Sequence, residues 1–156
     1  MADLQPGDIA PDFTLPTDDG EVRLADLKGK AVALYFYPKD DTSGCTAEAQ
    51  DFTAKQADFT AAGAVVIGVS KDSPRKHGKF RAKYNLTHTL GSDETGAMLA
   101  AYGAWVEKSM YGRKYMGIQR DTFLIGPDGK IARIWRKVKV TGHADEVLKA
   151  TKSLPA

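Results

Sequence analysis

From Ala31 to Tyr37 the chain is uninterruptedly apolar and rich in aromatic side chains, the pattern of a strand covered on both faces. Pro38, with no N–H to give a ladder, ends it. After a polar loop, Thr42 or Ser43, both good N-cap residues, opens a helix with apolar positions at Cys45, Ala49, Phe52 and Phe59. Only Gln56 interrupts that stripe, and the helix is expected to run to about Ala62, where Gly63 fits a C-cap. Ala64 to Val69 reads as a second buried strand. Ser73 and Pro74 then mark the N-cap and first position of a helix running through Phe80 to Tyr84.

The flanking segments extend this βαβα unit. Phe13 to Pro16 and Glu21 to Leu24, on either side of Thr17-Asp18-Asp19-Gly20, predict a short hairpin. A brief strand near Thr89-Leu90 precedes a small helix over about Thr95 to Tyr102. Trp105 to Gly117, rich in Gly, Lys and Tyr, reads as a loop. Thr122 to Ile125, the turn Gly126-Pro127-Asp128-Gly129 and Ile131 to Val140 predict a second hairpin, and a last helix covers about His143 to Lys152. The order βαβα followed by ββα implies an α/β domain, residues 1–156, with a mixed central sheet covered by helices on both faces.

Composition narrows the function more by exclusion than by indication. With 22 basic against 20 acidic residues the net charge is +2, which gives no reason to invoke nucleic acid or a membrane surface. No apolar run approaches the roughly 18 residues of a membrane span, and the N-terminus lacks the basic start and apolar core of a signal peptide. A cytoplasmic protein is expected. A single cysteine rules out an intramolecular disulfide and suits a reducing compartment.

That cysteine, Cys45, is placed in the first turn of the helix after the central strand. Unpaired backbone N–H groups and the positive end of the helix dipole favour an anion there, and the thiolate is the nucleophilic form of a cysteine. Position alone leaves two readings of equal weight, a nucleophile or a small buried hydrophobe. His77, His88 and His143 lie in separate segments without metal-ligand spacing and read as structural or solvated. No phosphate loop or dinucleotide fingerprint is present, so neither cofactor nor metal is expected.

Pro38-x-x-x-Thr42-x-x-Cys45 resembles the active-site signature of the peroxiredoxins. The longer string from Tyr35 to Glu48 is similar to the bacterioferritin comigratory protein, or Q-type, branch. Further similar stretches are Pro6 to Phe13, Lys79 to Tyr84, Tyr111 to Ile118 and Arg120 to Ile125, which together cover nearly the whole chain in the family's order. The resemblance implies a thioredoxin-like fold with an N-terminal β-hairpin. It also implies a thiol-dependent peroxidase acting on hydrogen peroxide and small organic hydroperoxides through a sulfenic acid at Cys45. A monomer is implied as well.

By the same resemblance, Arg120 lies against the peroxidatic cysteine, stabilising the thiolate and binding the peroxide; otherwise it is a surface arginine at a strand end. Thr42 orients the substrate or N-caps the helix. Pro38 shields the pocket or simply ends the strand. Glu48 accepts hydrogen bonds from the arginine side, or merely favours the helix start. Three positions depart from the branch. Ser43 replaces a proline and loosens the loop; Asp121 replaces a small or neutral residue, making local charge less favourable unless strand alternation turns it away. Gln50 stands where many relatives carry a resolving cysteine. Reduction then falls to thioredoxin, glutaredoxin with glutathione, or another low-molecular-weight thiol. An alternative is a redox relay, in which oxidised Cys45 passes its oxidation to a partner protein. Trp105 and Tyr111 border the active-site loop or anchor their own.

Overall fold

A computed structural model describes residues 3–155. In chain order its strands are β1 (Thr14–Thr17), β2 (Gly20–Arg23), β3 (Ala31–Phe36), β4 (Ala64–Ser70), β5 (Thr89–Ser92), β6 (Trp105–Met110), β7 (Arg113–Ile118), β8 (Asp121–Ile125) and β9 (Ile131–Trp135). The helices are α1 (Ser43–Ala54), α2 (Gln56–Ala61), α3 (Pro74–Tyr84), α4 (Ala97–Ala101) and α5 (His143–Lys152), and Leu24–Leu27 forms a 3-10 turn. Seven strands make one sheet in the order β2-β1-β5-β4-β3-β8-β9, while β6 and β7 pair apart.

The all-apolar run accounts for the centre. β3 is buried along its whole length, parallel to β4 on one side and antiparallel to β8 on the other. Alternation along β3 sends Ala31, Ala33, Tyr35 and Tyr37 to one face, where α1, α2, α3 and α5 pack through Phe52, Phe59, Phe80 and Val147. Val32, Leu34 and Phe36 face the other layer, closed by α4 through Met98 and Leu99, by Phe13, and by Ile118. The mixed sheet flanked by helices and the N-terminal hairpin, with Thr17 opposite Gly20, are as the sequence predicts. Backbone fit is tight at one place: a Cβ on Gly68 of β4 would stand 2.6 Å from the Tyr35 ring.

Three segments differ from expectation. The helix predicted from Thr42 to Ala62 breaks at Lys55, whose φ of −104° and ψ of 8° leave the helical range. The break falls where Gln56 interrupts the apolar stripe, and the new direction of α2 brings Phe59 within 5.9 Å of Phe52. Trp105 to Gly117 is a hairpin instead of a loop. Its two turn residues, Tyr111 and Gly112, both have positive φ, 52° and 78°, as a two-residue turn matched to strand twist requires. Tyrosine is an uncommon residue in that conformation, which hides the hairpin from the sequence. Finally, the strand expected from Ile131 to Val140 stops at Trp135, because the next residues wrap around the Asp121 carboxylate. Arg136 pairs with it at 2.7 Å, and the Lys137 N–H donates to it at 3.1 Å.

Candidate active site

Where β3 ends, the chain turns through Pro38 to Asp41 into α1. The turn is held from below. Asp40, nearly buried, accepts from the Tyr37 hydroxyl and lies 2.7 Å from His77 Nδ1. His77, with no exposed surface, faces the Gly91 carbonyl through Nε2 at 3.0 Å, and the Asp40 N–H donates to Asp72 at 2.8 Å. Asp41 adopts φ 62°, a conformation that Asp tolerates better than most residues. Its carboxylate accepts from Lys83 Nζ at 2.9 Å and from the Tyr84 hydroxyl at 2.6 Å. Helix α3 thus grips the loop that leads to the cysteine.

Thr42 takes the N-cap position with extended backbone, but its side chain does not cap. Its hydroxyl donates instead to the Lys39 carbonyl at 2.9 Å, which leaves the oxygen lone pairs free to accept from a donor. Ser43 is the first helical residue and is exposed. Cys45 follows in the first turn, 2% exposed.

Arg120 comes from the other side. It precedes β8 by one residue, and since Phe36 pairs with Asp121, it lies just past the end of the β3/β8 ladder. Its carbonyl accepts from the Val138 N–H at 2.8 Å, and the neighbouring Gln119 N–H donates to Ala104 at 2.7 Å. From this anchorage Nη2 lies 3.3 Å from Cys45 Sγ and Nη1 lies 2.6 Å from Glu48 Oε1. Gly44 makes room: a Cβ there would stand 3.3 Å from Arg120 Nη2.

The guanidinium therefore bridges two acidic groups 17% exposed to solvent at its own side chain and 1% at Glu48. Burial works against the charge on Arg120, but the charges of Glu48 and Cys45 beside it win and raise its pKa above the ordinary arginine value. Burial pushes the Glu48 carboxyl up to about 7, against the pull of Arg120. The second oxygen of Glu48 has no hydrogen-bond partner among the described residues, consistent with a carboxyl that holds a proton readily.

Of the five residues that the sequence singles out, the structure joins Cys45, Arg120 and Glu48 directly and places Thr42 at the head of the same helix. Pro38 is exposed at the strand end. Asp121 corrects the expectation of less favourable local charge. It is fully buried on the Phe36 side, neutralised by Arg136, and also accepts from Gln119 Nε2 at 2.9 Å. The histidines are all buried, none solvated: His88 lies 2.6 Å from the Tyr35 hydroxyl, and His143 lies 2.8 Å from Thr122 Oγ1. Burial lowers their pKa values to about 3 and about 4, so both are neutral at pH 7. Sequence reasoning missed the supporting Asp40, Asp41 and His77. The signal available was a pair of aspartates at the end of an apolar strand, too polar for that place without partners.

Comparison with known proteins shows the family of the chain. Residues 6–134 match the model of the AhpC/TSA family. The Bacillus subtilis peroxiredoxin Bcp is 47% identical over 152 residues, covering 97% of each chain. The chain belongs to the AhpC/TSA family, as a peroxiredoxin of the bacterioferritin comigratory protein branch. A Coxiella burnetii bcp protein is 53% identical over 146 residues, 93% of this peroxiredoxin and 97% of its own length. The solved Xanthomonas campestris bacterioferritin comigratory protein, described for alkyl peroxide reduction, superposes with a TM-score of 0.87 at 44% identity over 90% of each chain. Peroxiredoxins are thiol-dependent peroxidases, so this one consumes a peroxide and a thiol reductant.

Proposed function

We propose that this peroxiredoxin reduces hydrogen peroxide and small organic hydroperoxides at Cys45, forming a sulfenic acid that an external thiol clears. The observation that carries the reading is the 3.3 Å contact between Arg120 Nη2 and a buried cysteine in the first turn of a helix. A fixed cation and the helix dipole both favour the thiolate. Arginine has five N–H donors, so two bonds to Cys45 and Glu48 leave others for a peroxide oxygen. Thr42 Oγ1, its proton engaged with Lys39, accepts from the peroxide O–H and aligns it for in-line attack. Pro38 limits water at the mouth of the site, and Glu48 sets the position of Arg120.

The thiolate attacks the nearer peroxide oxygen, an S–O bond forms and the O–O bond breaks. Arg120 stabilises charge on the departing oxygen, which leaves as an alcohol or water after protonation. One thiol then displaces water from the sulfenic acid to give a mixed disulfide, and a second releases Cys45 as the thiol. Because Gln50 cannot form a disulfide and Cys45 is the only cysteine, both thiols come from other molecules: thioredoxin, glutaredoxin with glutathione, or a small thiol. The alkyl peroxide activity of the Xanthomonas relative supports organic hydroperoxides as substrates.

Stopped-flow tryptophan fluorescence, using Trp105 and Trp135, measures Cys45 oxidation in a single turnover. The expected rate exceeds that of free cysteine by orders of magnitude. A rate equal to free cysteine would overturn the reading. Sustained NADPH consumption with a coupled reductant separates a turning-over enzyme from a relay that stops at one mixed disulfide.

A further inference from the structure

Outside the active site, four of the five large hydrophobic side chains exposed among the described residues, Met110, Tyr111, Tyr115 and Met116, belong to the β6–β7 hairpin. Register sorts its side chains. Trp105 pairs with Ile118, and both turn toward the core. Their face carries the Glu107–Lys114 ion pair further out, at 3.7 Å. The opposite face holds Val106, Lys108 and Met110 on β6 with Arg113 and Tyr115 on β7. The Lys108 stem lies over Gly117, where a Cβ would stand 3.2 Å from its Cδ and 3.4 Å from the Tyr115 ring. Among the described residues this face has no carboxylate, so two cations rim an apolar surface.

The hairpin also leads directly to the site. Ile118 at its base is two residues before Arg120, and the Gln119 N–H fastens that base to Ala104 at 2.7 Å. Lys71 lies over the Trp105 ring at 4.6 Å, on the other face of the same base. Resting on the proposed need for an external thiol, we infer that the Val106–Lys108–Met110–Arg113–Tyr115 face is the docking surface for a dithiol reductant protein whose own contact surface is apolar and acidic.

Two features choose this occupant. The face is cationic without compensating acid, so its complement is negative. A second copy joined about a two-fold axis would set Lys108 and Arg113 against themselves. An apolar patch rimmed by charge, on a hairpin whose base is two residues from Arg120, matches a transient partner that must bring its thiol to Cys45. A small thiol needs no such surface, and this difference supplies the test.

Turnover of hydrogen peroxide is measured for the wild type and for Lys108→Glu/Arg113→Glu, with either Escherichia coli thioredoxin, its reductase and NADPH, or dithiothreitol. For the double variant the thioredoxin kcat/KM is expected to fall about tenfold through KM. Dithiothreitol turnover and single-turnover oxidation of Cys45 remain unchanged. The wild-type thioredoxin kcat/KM also falls as NaCl rises from about 50 to about 300 mM, and that of the variant does not. Equal thioredoxin kinetics in the two proteins overturn the inference, as does equal loss with both reductants. It is likewise overturned if dithiothreitol regenerates the wild type and thioredoxin does not, or if the substitutions alter binding only to anionic lipid vesicles or self-association. Failure of Cys45 to oxidise sinks the peroxidase reading itself; normal oxidation with any of these outcomes sinks this inference alone.

Discussion

At the scale of single residues, the proposed mechanism gives Arg120 and Thr42 separable duties. Arg120→Ala removes the donor nearest Cys45 and the cation that compensates Glu48. Removal of one such donor costs about 10²–10³ in rate in comparable sites, so single-turnover oxidation is expected to slow by at least about a hundredfold. An unchanged rate would detach Arg120 from the chemistry. Thr42→Val keeps the shape but loses the acceptor, and a slowing of about tenfold is expected, with Thr42→Ser close to wild type. If the hydroxyl served only to hold Lys39, the two variants would differ in stability and not in rate. Pro38, Thr42, Cys45 and Glu48 share one strand-to-helix turn, so their spacing marks them as a set in the sequence, whereas Arg120, 75 positions from Cys45, is singled out only by the resemblance of its own segment. The neutralisation of Asp121 is not legible there, since its partner Arg136 lies in a segment that reads as continuous strand and only bends once the carboxylate is in place.

Among the elements, the grip of α3 on the loop before α1 depends on a buried acid and a buried histidine. His77→Ala strips Asp40 of that neighbour and removes the imidazole that faces the Gly91 carbonyl. Breaking a buried pair by removing one member costs about 3–5 kcal/mol, and a urea titration is expected to show a loss of that order. A loss below about 1 kcal/mol would mean that water replaces the imidazole without penalty. Strands and helices with simple periodicity, β3, β4, α3 and α5, stand in the sequence almost to the residue. The β6–β7 hairpin does not, because its turn uses Tyr111 in place of the Asn or Asp that usually announces one. Alternation through Trp105, Glu107 and Ser109 is present, but with charged residues on both faces it has no periodic apolar signal to follow.

For the whole molecule, buried titrating groups oppose one another in the dependence of stability on pH. Glu48 has a folded pKa raised from 4.5 to about 7, so its contribution is complete below about pH 4.5 and is lost as pH rises through about 7. At 1.36 kcal/mol per pKa unit this amounts to about 3 kcal/mol. His88 and His143 have lowered values; their contributions are present above about 6.5 and are lost as pH falls. Two histidines outweigh one carboxyl, so the wild type is expected to gain stability between pH 5 and 7 with about half the slope that the histidines alone would give. Glu48→Gln, lacking the opposing acid, rises more steeply with pH over the same interval. Urea midpoints at four or five pH values distinguish the two, and parallel profiles would remove Glu48 from the balance.

Cys45 and Arg120 stand 75 positions apart in the sequence, and they meet only once β8 has paired with β3. An unfolded chain holds the same thiol without its cation or its helix. A brief pulse of dilute peroxide should then oxidise native copies and spare unfolded ones, so that the sulfur keeps a chemical record of which molecules had closed the central sheet when the pulse arrived.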